Sequence, residues 1–219
     1  MRIHIFIDVK RLTLALLLLA LPFLLASAPV ITGVQRLPAG DSTYPLRIGT
    51  WKYTPTVVVC SGAPVTVKAV KQAVGWWKLH GHQFFQAVTT DDSLDKCQAE
   101  YPEGFIVIHV GKQRMFTADD DLAETHFYID EETQEISWAK IFLKSAPLER
   151  IMEHELGHAL GFMHTMKVGH MMYPTWLRGG WDDRGLESTA PVVSRKQVQS
   201  IERRPHPIHR PIDSAPTEE

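Results

Sequence analysis

Eleven residues, His154-Glu155-Leu156-Gly157-His158-Ala159-Leu160-Gly161-Phe162-Met163-His164, constrain this 219-residue chain more than any other stretch. Read as an α-helix, His154 and His158 stand four positions apart, about 40° round the axis and about 6 Å along it. Two imidazoles so placed share one face and can share one Zn²⁺ at about 2.0–2.1 Å from each nitrogen. Glu155 lies about 100° round from His154, out of position as a ligand. It is within reach of a water in an open coordination site, where a general base belongs. His164 is out of helical phase, about 9 Å beyond His158 along a continuing helix. Gly161 offers the remedy, because glycine takes the left-handed conformation that ends a helix and turns the chain back. His164 then becomes the third ligand. The whole pattern should arise by accident in about one such chain in 10⁵. Leu148, Met152, Leu156, Ala159 and Leu160 form an apolar stripe beside the histidines, Pro147 suits the first turn, and Ser145 suits the cap.

The rest of the chain supplies a scaffold for such a helix. Its length allows one domain with a real core, and a formal charge of −2 gives no reason to expect nucleic acid as a partner. Residues 56–60, Thr-Val-Val-Val-Cys, are apolar and β-branched and read as a buried strand. Pro64 opens a helix that runs to about His80, with Val67, Val70, Val74 and Trp77 on one face. Further strands are expected over 83–88, 105–110, 122–130 and 136–144. Ser194 caps a last helix carrying Val198 and Ile201, with Gln197 completing a capping box. From Arg204 the tail holds four prolines and mixed charge, a composition that predicts disorder.

The N-terminus stands apart. Arg2, Lys10 and Arg11 precede an uncharged, Leu-rich run over 12–31 that contains Ala26-Ser27-Ala28. That reads as a secretory signal, while a run of about 20 residues also suits an uncleaved anchor associating with a membrane. Either way the remainder is exported, secreted or extracytoplasmic. In such a compartment Cys60 and Cys97 can pair.

The run HELGHALGFMH followed by Met171-Met172-Tyr173-Pro174 resembles the metzincin metallopeptidases, and its Met-Tyr-Pro ending is similar to the matrixin branch. The resemblance covers roughly residues 51–203. It implies an α+β, zincin-like fold: a twisted, mostly parallel five-stranded sheet with an antiparallel edge strand, a backing helix, the active-site helix and a C-terminal helix. It makes Met172 the Met-turn methionine beneath the zinc. Tyr173, Pro174 and Thr175 become candidates for the wall of a substrate pocket, and residues 121–127 an edge that receives an extended peptide. Matrixins often carry a propeptide whose cysteine blocks the zinc, and residues 32–50, rich in Pro and Gly, contain none.

The division expected is a signal peptide or anchor over 1–31, a linker over 32–50, the catalytic domain over 51–203 and a tail over 204–219. The function expected is that of a monomeric zinc endopeptidase acting on polypeptides, with one catalytic Zn²⁺. The alternatives are a zinc amidase acting on cell-wall peptide links and a non-catalytic metal-binding protein. His80 and His82 read as a polar helix end, and His126 with Asp130 as a solvated strand and turn. Asp119-Asp120-Asp121 lacks the spacing of a calcium loop, so Ca²⁺ is not expected.

Overall fold

The run Thr56–Cys60 is buried at every position, as befits a parallel strand covered on both faces. It is the second strand, β2, of a six-stranded sheet in a computed structural model that describes residues 44–85, 88–91, 95–112, 116 and 121–194. The other strands are β1 (Thr50–Trp51), β3 (Thr89–Asp91), β4 (Phe105–Val110), β5 (Ala123–Ile129) and β6 (Glu135–Leu143). The order across the sheet is β3-β2-β4-β6, all parallel, and β5 pairs antiparallel with β6. The two-residue β1 adds to the start of β6 in parallel. Apart from that short addition, this is the mostly parallel five-stranded sheet with an antiparallel edge that the resemblance implies.

Helix α1 (Val67–Leu79) begins after Thr66, whose hydroxyl accepts from the Ala69 N–H at 3.2 Å. The helix therefore starts three residues later than Pro64 predicts. Val70, Ala73, Val74 and Trp77 are its buried face. Short helix α2 (Asp95–Gln98) lies between β3 and β4, and helix α3 (Ile151–Ala159) follows β6. The core lies between the helices and one face of the sheet, built on Val57, Val59, Ile106, Ile108, Ala139, Ile141 and Leu143 of the strands. Trp77 joins the helices to one another: its indole donates to the Glu153 carbonyl at 2.8 Å and its ring stacks on Phe162 at 5.5 Å. On the other face Cys60 is bridged to Cys97, and Lys140 Nζ donates to the Ala99 carbonyl at 2.7 Å. These two links tie the loop after β3 over the sheet.

Several boundaries differ from expectation. The strand expected over 83–88 begins only at Thr89, because its parallel partners on β2 are Val58, Val59 and Cys60. Helix α3 starts at Ile151 rather than at Pro147, and Ser145 does not cap it. Arg150 occupies that position in the left-handed conformation (φ 73°) with no side-chain cap. Leu148, expected on the inward stripe, is consequently exposed. Residues 46–50, read as linker, pair with the domain. The signal or anchor over 1–31, the C-terminal helix after Ser194 and the tail lie outside the described residues. Among the described residues no helix is long and apolar enough to cross a membrane.

Candidate metal centre

Helix α3 ends as its glycine predicts. Gly161 has φ +93°, its N–H donates to the His158 carbonyl at 2.9 Å, and the Phe162 N–H donates to Gly157 at 2.9 Å. This is the paired reversal of a Schellman ending, which only a residue tolerant of the left-handed region closes without strain. The chain then doubles back, and His164 meets the two helical histidines. The three Nε2 atoms lie 3.1 Å (His154 to His158), 3.0 Å (His158 to His164) and 3.2 Å (His154 to His164) apart. Among the described residues they form the one group of three or more His, Cys, Asp or Glu side chains spaced to hold a metal ion.

The tautomers follow from the outer nitrogens. His154 Nδ1 meets the Met171 carbonyl at 2.8 Å, and His158 Nδ1 meets the Phe162 carbonyl at 2.8 Å. A carbonyl only accepts, so each Nδ1 carries the proton and each Nε2 turns a lone pair inward. Burial lowers the pKa of His154 to about 4 and that of His158 well below its ordinary value, so both rings are neutral. Lone pairs converging at such separations repel unless a cation sits among them. The donor set suits zinc, whose tetrahedral sites place nitrogens about 3.3–3.4 Å apart at bond lengths of about 2.0–2.1 Å.

Glu155, one position on, is buried beside this group. Its Oε2 accepts from the Thr125 hydroxyl at 2.6 Å, which draws β5 against α3. Burial lifts its pKa to about 7, against the opposing pull of that hydrogen bond. The carboxyl can therefore take up and release a proton near neutrality. Met172 is fully buried beneath α3. A Cβ on Gly157 would fall 2.5 Å from Met172 Sδ and 2.9 Å from Trp77, so the helix approaches Met172 and Trp77 closely only because position 157 lacks a side chain.

The eleven-residue pattern does not reach two of these neighbours. Thr125 sits thirty residues upstream of the carboxylate it touches. His170, fully buried, accepts the Met172 N–H on Nδ1 at 3.0 Å and donates from Nε2 to the Arg184 carbonyl at 3.0 Å. It braces the turn whose Met171 carbonyl orients His154. Its closeness to Met171 and Met172 in sequence was the available signal.

The remaining expected residues separate. Tyr173 is buried, its hydroxyl accepting from Arg178 at 3.3 Å, whereas Pro174 and Thr175 are exposed. His126 is half-buried rather than fully solvated as expected. Its Nε2 meets the Glu124 carboxylate at 2.8 Å and its ring packs edge-on to Phe142. Asp130 does form a turn, accepting from the Glu132 and Thr133 N–H groups at 2.9 Å. His80 caps α1 and pairs with Asp183 at 2.9 Å. His82, expected as a polar end, is instead buried and bonded to the Leu186 carbonyl at 2.8 Å. Of the acidic run 119–121, only Asp121 is within the described residues.

Comparison with known proteins agrees with the geometry. The family model described as matrixin (Peptidase_M10) matches residues 64–184, more than half of the chain. Over 62 residues the chain is 50% identical to interstitial collagenase of Aquarana catesbeiana, a stretch covering 26% of this chain and 16% of that protein.

Proposed function

Because this chain belongs to the matrixin family, we propose that it is a zinc-dependent endopeptidase that hydrolyses peptide bonds of polypeptides. One observation carries the reading: the Nε2 atoms of His154, His158 and His164 converge within 3.2 Å of one another, with a buried carboxylate at Glu155, next to His154 on the same helix. His154, His158 and His164 are the ligands, the first two held in the right tautomer by backbone carbonyls. Zinc bound there acts as a Lewis acid that acidifies water and polarises a peptide carbonyl.

Glu155 accepts the proton of the attacking water and passes it to the departing amine. Thr125 orients Glu155, so one carboxylate oxygen stays engaged while the other is free to exchange protons. Met172 underlies the ligands as an apolar floor. An extended substrate lies along the edge of β5 that no strand covers among the described residues and exchanges main-chain hydrogen bonds with it, with Tyr173, Pro174 and Thr175 beside the residue that follows the cut. The protein works as an exported monomer, anchored or released at residues 12–31, with its catalytic domain running to about residue 203. The Cys60–Cys97 bridge supports export, since disulfides persist in oxidising compartments.

The test compares wild type with Glu155→Ala for zinc content and for cleavage of casein and of a peptide library. The variant keeps its zinc and loses activity by about 100-fold or more. Undiminished turnover would remove Glu155 from its role. Release of peptides from peptidoglycan with casein left intact would favour the amidase.

A further inference from the structure

Residues 46–51 precede the matched region and carry no motif residue, yet they run along the turn that delivers His164. The Ile48 N–H donates to the Gly161 carbonyl at 2.9 Å and the Met163 N–H donates to the Leu46 carbonyl at 2.8 Å, so Arg47 pairs antiparallel with Phe162. On its other side Arg47 pairs in parallel with Val192, and its carbonyl accepts from the Val193 N–H at 2.8 Å. The Trp51 indole donates to the carbonyl of Ala159, the last residue of α3, at 2.8 Å. Gly49 approaches so closely that a Cβ on Gly161 would fall 2.5 Å from its carbonyl oxygen.

The Arg47 side chain fastens this segment. It is 6% exposed, its guanidinium lies 5.2 Å over the Phe162 ring, and NH1 donates to the Ser188 carbonyl at 2.7 Å. Its Nε meets no acceptor among the described residues. A buried guanidinium with one N–H left unpaired among the described residues is costly to a fold, so its place here calls for a reason other than stability. Phe162 supplies one. Its carbonyl orients His158, and it stands two residues before His164.

We propose that residues 46–51 are a strap belonging to the metal centre, and that Arg47 is a positioning residue that acts through Phe162 to keep His158 and His164 aimed at one point. This rests on the reading of the three histidines as ligands. Without the strap the reversal at Gly161–Met163 loses its backbone partners on one side, and two of the three ligands lose a fixed base. A site whose ligands wander holds its metal less tightly, as when supports of ligating histidines are removed elsewhere.

The test follows transfer of Zn²⁺ from the loaded full chain to excess chromophoric chelator, with urea unfolding measured alongside. Arg47→Met removes the buried cation while keeping bulk, and Trp51→Phe removes the bond to Ala159. Val107→Ala serves as control: it opens the fully buried face of β4 away from the helices and touches neither strap nor site. Arg47→Met and Trp51→Phe are expected to release zinc about 10-fold faster than wild type, and faster than Val107→Ala at equal or greater urea stability. Release at the wild-type rate, or release that merely tracks urea stability in all three variants, overturns the strap. Should Arg47→Met fail to fold, Trp51→Phe against Val107→Ala decides. A wild type that holds no zinc defeats the ligand reading and the strap with it, an outcome distinct from zinc held but released unchanged.

Discussion

Glu155 is a buried carboxylate, and among the described residues Thr125 is the side chain that hydrogen-bonds it. The Thr125 hydroxyl at 2.6 Å fixes one oxygen and opposes the rise in pKa that burial causes. Thr125→Val keeps the shape and deletes the donor. The expected result is unchanged zinc content with kcat/KM on a peptide substrate reduced about 10-fold, the value of one hydrogen bond to a charged group. An unchanged kcat/KM would show that packing alone orients the carboxylate. His154 and His158 are governed in the same way, each committed to one tautomer by a carbonyl behind it. The helical spacing of His154 and His158, with the glycine before His164, announced which residues converge. It could not announce what stands behind them, since Thr125 and Met171 reach the site by tertiary routes.

Helix α3 is short, nine residues, and its stability comes from what it packs against rather than from propensity. Its inner face meets Trp77 of α1 and Met172 at Gly157. Gly157→Ala should raise helix propensity by up to about 1 kcal/mol, yet its Cβ would meet Met172 Sδ at 2.5 Å. Overpacking outweighs propensity, and a net loss of about 1–3 kcal/mol in urea unfolding is expected. A stabilised variant would mean the Met-turn yields easily, which would weaken the case for Met172 as a rigid floor. The start of α3 was illegible in sequence. Pro147 and Ser145 are good local signals, but Arg150 adopts a left-handed conformation, and its guanidinium lies 5.6 Å over the Trp176 ring. A contact spanning twenty-six residues overrode a local preference.

At the scale of the whole molecule, burial of titratable side chains makes stability depend on pH. His82 is neutral in the fold, its pKa lowered from 6.5 to about 4 chiefly by burial, against the raising effect of its Nε2–H bond to the Leu186 carbonyl. The unfolded chain binds a proton there below about pH 6.5 while the folded one does so only near pH 4. Stability is therefore intact above pH 6.5 and falls as the pH drops through the window between the two values. His82→Gln keeps the donor and cannot titrate. Between pH 7 and 5 the wild type should lose about 2 kcal/mol more than the variant in urea unfolding. Equal losses would show that His82 is solvated in solution.

What the sequence determined by itself is local in the chain: two histidines on one helical face, a glycine that reverses the backbone, strands made by β-branched runs, and two cysteines available to pair. Each is a matter of spacing or of intrinsic conformational preference, which neighbours along the chain settle. Tertiary structure alone decided that residues 46–51 bind the reversal, that Thr125 grips Glu155, that His170 braces the backbone at Met172 and that His82 is buried. Those facts rest on contacts between residues far apart in sequence, and such contacts exist only once the sheet and helices have closed on one another.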